Sequence, residues 1–420
     1  RSPSRGLGDV YKRQLFTFDT SYSLETIKHL KMEVFYQGKL LEGFFKSVTT
    51  ANAVSKILLD DDNAKKFGGP KAVKITNNIE YIEGKVGISK KLKYFKTLNF
   101  LMSLIYFTYH CFLYIRKEKI NFLRAEDPHL NGIICIFLSK ILNIPSVIGV
   151  WGNPDEIRED IGRPIWANVF KFIFIEKQIE KIVLRSASKV IVQNTNNKDF
   201  VIRKGVDPSN IGLFRISNQI NDIYFSEPIQ RDIRENFFHD ISIKSTKTML
   251  CISRLEKLKR VQDVIQLCYN LKQENLFADV LICGEGPYKN ELIALSKELG
   301  IERSIFFLGN VDQVWLANAI CNVSLVVSPL TGRALGEVAL SGAPVLAYDR
   351  DWQSEIIQDG ITGSLCAFND IDSLTKKAKK LLNDPTLSKK LGQNLRKFSL
   401  ELLNKSSALS RELELYKQLQ

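Results

Sequence analysis

Along most of the chain, short apolar runs alternate with longer segments whose apolar residues recur at helical spacing. That alternation is the mark of parallel α/β sheets, whose strands are covered on both faces by crossover helices. In the first half, Pro145–Trp151, Ser188–Gln193 and Ile211–Ile216 read as strands and Phe170–Ser186 as a helix. The rhythm restarts at Thr248. The strands expected there are Thr248–Ser253, Ala278–Cys283, Ser304–Leu308, Ser324–Ser328 and Pro344–Tyr348, with helices such as Val261–Leu271 and Lys289–Leu299 between them. The polar, turn-rich Asn218–Pro228 reads as the linker, 229–245 as a charged helix plus loop, and Pro385–Gln420 as about two helices. The expectation is an α/β chain with an N-terminal domain at 15–222 and a C-terminal domain at 223–400. Residues 401–420 would form a helix able to pack back on the first domain.

Two segments depart from the rhythm. Residues 1–14 (RSPSRGLGDVYKRQ) have no apolar core of a signal peptide and join abruptly to Leu15-Phe16-Thr17-Phe18, so they read as a non-native scar. Leu98–Ile115 is apolar and aromatic, with Lys90, Lys91, Lys93 and Lys96 before it and Arg116, Lys117 and Lys119 after it. It falls just short of the roughly 20 apolar residues of a spanning helix and carries Asn99, Ser103, Thr108 and His110. A buried helix of the first domain is the preferred reading. The alternatives are a spanning helix and a helix lying on an anionic membrane surface.

Composition narrows the partners. The 59 basic against 46 acidic residues give a formal charge of +13, which favours anions such as nucleotide phosphates or lipid head groups. No nucleic-acid module accompanies the charge, so nucleic acid is not an expected partner. The seven cysteines are scattered through apolar runs without a Cys-x-x-Cys pair or a Cys/His cluster. They read as small core residues of a reducing compartment, with no metal site.

Candidate chemistry gathers at strand ends, where open parallel sheets bind ligands. After Thr248–Ser253 come Arg254 and, five residues on, Lys259, a fork and a mobile point charge suited to a diphosphate. A solvated basic loop would look the same. After Ala278–Cys283 come Gly284 and Gly286, glycines that let backbone approach a ligand, and after Ser304–Leu308 comes the Gly309-Asn310-Val311 turn. The strand Ser324–Ser328 leads through Thr331-Gly332 into a helix starting near Arg333, whose free amides suit phosphate oxygens. Glu337, about a turn further in, could take ribose hydroxyls or be a surface carboxylate favoured by the helix dipole. His129, after Ile120–Leu123, is the candidate acid-base or sugar-contacting residue, with a helix-capping loop histidine as its alternative.

Taken together, these segments resemble retaining glycosyltransferases of family 4, over almost all of residues 130–380. The resemblance rests on Arg254 with Lys259, Gly284–Pro287, Phe307–Gly309 and Glu337-Val-Ala-Leu-Ser-Gly-Ala-Pro-Val345. It implies the GT-B fold, two Rossmann-like domains facing across a cleft, with C-terminal helices. The C-terminal domain would hold a UDP- or GDP-sugar as co-substrate and the N-terminal domain a glycan or lipid-linked acceptor. By position, Arg254, Lys259, Gly332 and Arg333 would meet the diphosphate, Glu337 the ribose, and Gly284, Gly286, Asn310 and Val311 the base or its loop. Thr331, Ala334 and Leu335 would line the donor sugar. One departure stands out: the family commonly has a second glutamate eight positions before this one, and here Pro329 occupies that place.

The resemblance further implies metal-independent transfer with retention and no cofactor, in surface polysaccharide synthesis. The expected location is the cytoplasm, peripheral on the cytoplasmic membrane face. A nucleotide-sugar epimerase or hydrolase of the same fold, and a non-catalytic nucleotide-sugar-binding partner of a glycan assembly complex, are the competing readings. A dehydrogenase is disfavoured because no Gly-x-Gly-x-x-Gly follows a first strand.

Overall fold

Both stretches of strand–helix rhythm become parallel sheets. The computed structural model describes residues 13–29, 33–54, 67–226, 238, 241 and 243–420, so residues 1–12 of the proposed scar and most of 229–242 lie outside the described residues. Two compact units divide the chain: Arg1–Phe214 with Leu409–Gln420, and Arg215–Ala408. The division thus falls ahead of the segment 218–228 and of the 222/223 boundary placed from sequence. Gln14, assigned to the scar, is the first residue of a central strand.

The N-terminal unit is built on β1 (Gln14–Phe18), β2 (Ser47–Asn52), β3 (Lys71–Thr76), β4 (Ile79–Glu83), β5 (Phe122–Ala125), β6 (Ser146–Val150), β7 (Lys189–Val192) and β8 (Ile211–Leu213). Their order is β3-β4-β2-β1-β5-β6-β7-β8, parallel except for the β3–β4 pair. Every residue of β5 and β6 is buried, as expected of strands covered on both faces. At the chain's end, Tyr416 is fully buried and stacks edge-on with Phe45 and Phe122, at 5.0 and 5.6 Å between centroids.

The apolar run Leu98–Ile115 is not the buried helix expected. It lies within the helix Lys96–Glu118, which buries only Asn99, Ser103, Phe107, Cys111 and Ile115, a stripe at spacing four. Leu98, Leu101, Met102, Ile105, Tyr106, Tyr109 and Leu113 are exposed. The inversion has a local cause. Asn99 accepts from the Ile88 amide at 2.8 Å and donates to the Ser89 carbonyl at 2.8 Å, while Ser103 donates to the Lys85 carbonyl at 2.6 Å. These polar side chains satisfy the 85–89 backbone, and the apolar ones are turned outward.

The C-terminal unit is built on β9 (Thr248–Ile252), β10 (Asp279–Cys283), β11 (Ile305–Gly309), β12 (Leu325–Ser328), β13 (Val345–Asp349) and β14 (Ser364–Ala367). They form a parallel sheet in the order β11-β10-β9-β12-β13-β14. Strand succession runs outward in one direction from β9 and in the other from β12. The crevice outside their carboxyl ends is therefore this sheet's topological switch point. All seven cysteines are buried and unbridged.

Candidate functional site

Arg254 and Lys259 leave the carboxyl end of β9, and Gly332 and Arg333 follow that of β12, its hydrogen-bonded neighbour. Four predicted residues thus flank one switch point. Between β9 and the helix Val261–Gln273 the chain makes a 3-10 turn at Lys257–Lys259, then passes through Arg260 in the left-handed region (φ 59°). Arg254 is 65% exposed and pairs with Glu256 at 3.1 Å. Burial pushes the Lys259 ammonium below its ordinary value, the positive charge of Arg254 pushes it further, and Asp351 and Glu256 only partly offset this. One exposed and one half-buried cation thus follow the carboxyl end of β9, an arrangement suited to an anion.

The glycine turn after β10 has a packing role besides the ligand approach expected of it. A Cβ on Gly284 would stand 1.9 Å from the Ser253 carbonyl oxygen, and one on Gly286 would stand 2.3 Å from that of Leu255. The Ser253 amide donates to Cys283 O, Leu255 to Glu285 O and Tyr288 to Leu255 O, at 2.9–3.0 Å. These glycines let two backbones meet, and so brace the loop that carries Arg254. Asn310 and Val311 follow β11, the edge strand two places from β9.

At the end of β12, Thr331 and Gly332 lead into the helix Arg333–Ser341. A Cβ on Gly332 would meet nothing within 4 Å, so the helix start is open where an anion would approach its amides. Glu337 is not a surface carboxylate: its side chain is 4% exposed, and burial pushes its carboxyl up despite the Arg333 guanidinium at 3.0 Å. Arg333 and Glu337, expected to meet the diphosphate and the ribose, are bonded to each other. Leu335 is corrected. It is fully buried in the core, so its side chain cannot line a sugar, whereas Ala334 is half-buried. Thr331 is 5% exposed, with its hydroxyl bonded to Ser328.

Sequence reasoning missed what holds this loop. Gln353 donates to the Ser328 and Pro329 carbonyls at 2.6 and 3.0 Å, and the Trp352 indole donates to Thr331 O at 3.4 Å. Pro329, at the position where a glutamate is usual in the family, is thereby tied down from β13's loop. A polar residue and a tryptophan after a strand gave no periodic signal of that contact.

His129 is also corrected. It precedes the helix Leu130–Leu142, but its ring is 3% exposed and its Nε2 lies 3.2 Å from Glu180. Arg158 and Lys204 reach the same carboxylate at 3.0 and 2.9 Å. Burial pushes Glu180 up, and the His129 and Arg158 contacts outweigh it, leaving the carboxyl below its ordinary value. The imidazole belongs to a buried ion network, not to an open strand end. Among the described residues no group of histidine, cysteine, aspartate and glutamate is placed to hold a metal ion.

Residues 232–398 match the family model of the glycosyl transferases group 1. The N-acetyl-alpha-D-glucosaminyl L-malate synthase of Bacillus anthracis is 31% identical over 175 residues, which are 41% of this chain and 46% of that enzyme. A Campylobacter jejuni enzyme, N-acetylgalactosamine-N,N'-diacetylbacillosaminyl-diphospho-undecaprenol 4-alpha-N-acetylgalactosaminyltransferase, is 28% identical over 42% of this chain and 48% of its own length. The chain thus spans about half the length of these curated relatives. Among solved structures, Anabaena HepE in complex with UDP matches with a TM-score of 0.69 over 97% of this chain and 100% of that one, at 13% identity. That likeness shows the fold, which is GT-B.

Proposed function

We propose, from the premise that this chain belongs with the glycosyl transferases group 1 through residues 232–398, that it moves a sugar from a nucleoside-diphosphate sugar to a hydroxyl of a glycan or lipid-linked acceptor. The observation that carries this reading is the pair of mutually repelling cations, Arg254 and Lys259, beside an open helix start at one switch point. Such a site is matched to a diphosphate and costs little to complete when one arrives. UDP is the favoured carrier, since it is the nucleotide bound by the structurally similar HepE.

In the proposed reaction the bond between the sugar's anomeric carbon and the diphosphate oxygen breaks, and the acceptor hydroxyl forms its bond on the same face. The hydroxyl's proton passes to the departing diphosphate. Arg254, Lys259 and the amides at Gly332 and Arg333 stabilise the charge growing on that leaving group, without a metal. Glu337, on the helix that starts there, accepts from the ribose hydroxyls.

Surface polysaccharide assembly at the cytoplasmic membrane face is the proposed setting. The helix Lys96–Glu118 is long and apolar enough to cross a membrane, but its Asn99-to-Ile115 stripe is built into the N-terminal unit's core, which supports a helix lying on the surface instead. Exposed Lys90, Lys91, Lys93, Lys96, Arg116, Lys117 and Lys119 supply the charge that anionic lipid attracts. The deciding experiment measures release of nucleoside diphosphate from a panel of nucleotide sugars, with and without glycan and polyprenyl-linked acceptors. Acceptor-dependent release supports transfer. Equal release without acceptor makes the protein a hydrolase, and binding without turnover makes it a non-catalytic partner.

A further inference from the structure

The turn between β12 and the helix Arg333–Ser341 is held by side chains from another strand end. Gln353 opens the short helix Gln353–Ile356 after β13 and is fully buried. Its Nε2 donates to Ser328 O at 2.6 Å and to Pro329 O at 3.0 Å. Two carbonyl oxygens can face only a donor, so the orientation of this amide is fixed.

That hold also decides where the turn's own amides point. In a trans peptide the carbonyl of one residue and the N–H of the next lie in opposite directions. Gln353 on Pro329 O therefore turns the Leu330 N–H away from itself. The Trp352 indole, donating to Thr331 O at 3.4 Å, does the same for the Gly332 N–H. Among the described residues, the Leu330, Thr331 and Gly332 amides donate to no partner. Successive unpaired amides ahead of a helix start are suited to phosphate oxygens.

The residue before Trp352 adjoins the other half of the site. Asp351 stands in the left-handed region (φ 58°). Burial and the Arg254 charge push the Lys259 ammonium down, and Asp351 is one of two carboxylates that oppose them. Residues 351–353 thus adjoin both the cation after β9 and the amides after β12.

We propose that Gln353, seconded by Trp352, is a positioning residue of the transfer reaction: it holds the Pro329–Gly332 backbone so that the amides ahead of Arg333 are free for the phosphate oxygens of a nucleoside diphosphate. The assignment deepens the proposed donor site and rests on it. Gln353 acts through the backbone and not by touching the ligand.

The test is isothermal titration of UDP into the full chain as wild type, Gln353→Met and Trp352→Phe. The methionine keeps the side chain's length and removes the donor. UDP should bind Gln353→Met about ten-fold more weakly, with the stoichiometry unchanged. A side chain that serves folding alone would instead lower the stoichiometry, which counts competent molecules, and leave Kd as it was. That result overturns the proposal. Where Gln353→Met does not fold, Trp352→Phe decides: it keeps an aromatic ring, loses the N–H, and should weaken UDP about three-fold. A wild-type Kd there overturns the proposal equally. A wild type that binds no UDP removes the donor reading and this inference together, whereas tight binding left unchanged by the variants removes this inference alone.

Discussion

Replacing Lys259 with methionine separates what its ammonium does for a ligand from what it costs the empty lobe. The ammonium is held below its ordinary value, first by burial and then by Arg254. A lysine whose folded value lies below its unfolded value destabilises the fold while charged. That cost is full below the folded value and disappears above the unfolded one, about 10.4. Ligand-free Lys259→Met should therefore melt no lower than wild type at pH 7, and any advantage should shrink as pH rises toward that of free lysine. Binding should move the other way. A charge-assisted hydrogen bond to a diphosphate is worth about 1.5–3 kcal/mol, or roughly 10- to 150-fold in affinity. Take UDP at about 100 times the wild-type Kd: wild type gains about 2.7 kcal/mol of stability, while a variant weakened about 30-fold gains about 0.9. At about 2–4 °C per kcal/mol for a domain of this size, the UDP-induced shift falls from roughly 5–10 °C to roughly 2–4 °C. The assay is a thermal melt of both proteins with and without UDP. An undiminished shift in Lys259→Met would refute the anion site, and a large fall in the ligand-free melting temperature would refute the account of its strain.

Glu337→Gln should weaken UDP by about ten-fold, near the lower end for a charged hydrogen bond, yet spare inorganic pyrophosphate, as isothermal titration would read. Burial raises this carboxyl's folded value above its unfolded one, so ionisation costs stability at neutral pH and the glutamine should not lower the melting temperature. Glu180→Ala should cost about 3–5 kcal/mol by stranding buried Arg158. The depressed folded value of Glu180 means its contribution is present above about pH 4.3 and is lost as pH falls through that folded value, which acid titration of the melt would follow. His129→Asn should reduce the yield of folded protein more than kcat per folded molecule. Transfer should survive excess chelator, and complete loss restored by magnesium would contradict the proposed mechanism. Vesicle flotation should show binding to anionic and not neutral lipid, weakened by salt and by neutralising Lys90, Lys91, Lys93 and Lys96, each worth about 1 kcal/mol.

The C-terminal sheet is readable because its central strands are buried on both faces and stand out as apolar runs: Val280–Cys283 of β10 is buried throughout. A residue directly after such a strand sits at the sheet's carboxyl edge by construction, which is why the sequence places Arg254 and Lys259 there. The same reasoning erred where a residue's neighbours came from elsewhere in the chain. Gly284 and Gly286 fit the pattern of a ligand-approaching turn, and the sequence did not show that they also let the carbonyls of Ser253 and Leu255 come close. Leu335 lies beside Ala334 in sequence and one helical step away in space, which takes it from the open edge into the core. In the helix Lys96–Glu118 the pattern itself misled, because Asn99 and Ser103 had backbone groups at 85–89 to satisfy.

Sequence spacing reaches a charged site more readily than side chains gathered from distant loops. A diphosphate is recognised by charge close to one strand end and one helix start, and both are local motifs. Asp19 and Asp127 lie more than a hundred residues apart and meet only because β1 pairs with β5, from Leu15 against Phe122 to Phe18 against Ala125. Lys39 pairs with Asp19 and with Glu126, and it lies on neither strand. His129 was the residue in this region with conspicuous chemistry, and chemistry alone pointed to it. Pairing then turned it inward to Glu180, while Asn131, two residues on, was left with an oxygen to satisfy. Strand register, which only the folded sheet supplies, thus decides which of these side chains are buried together.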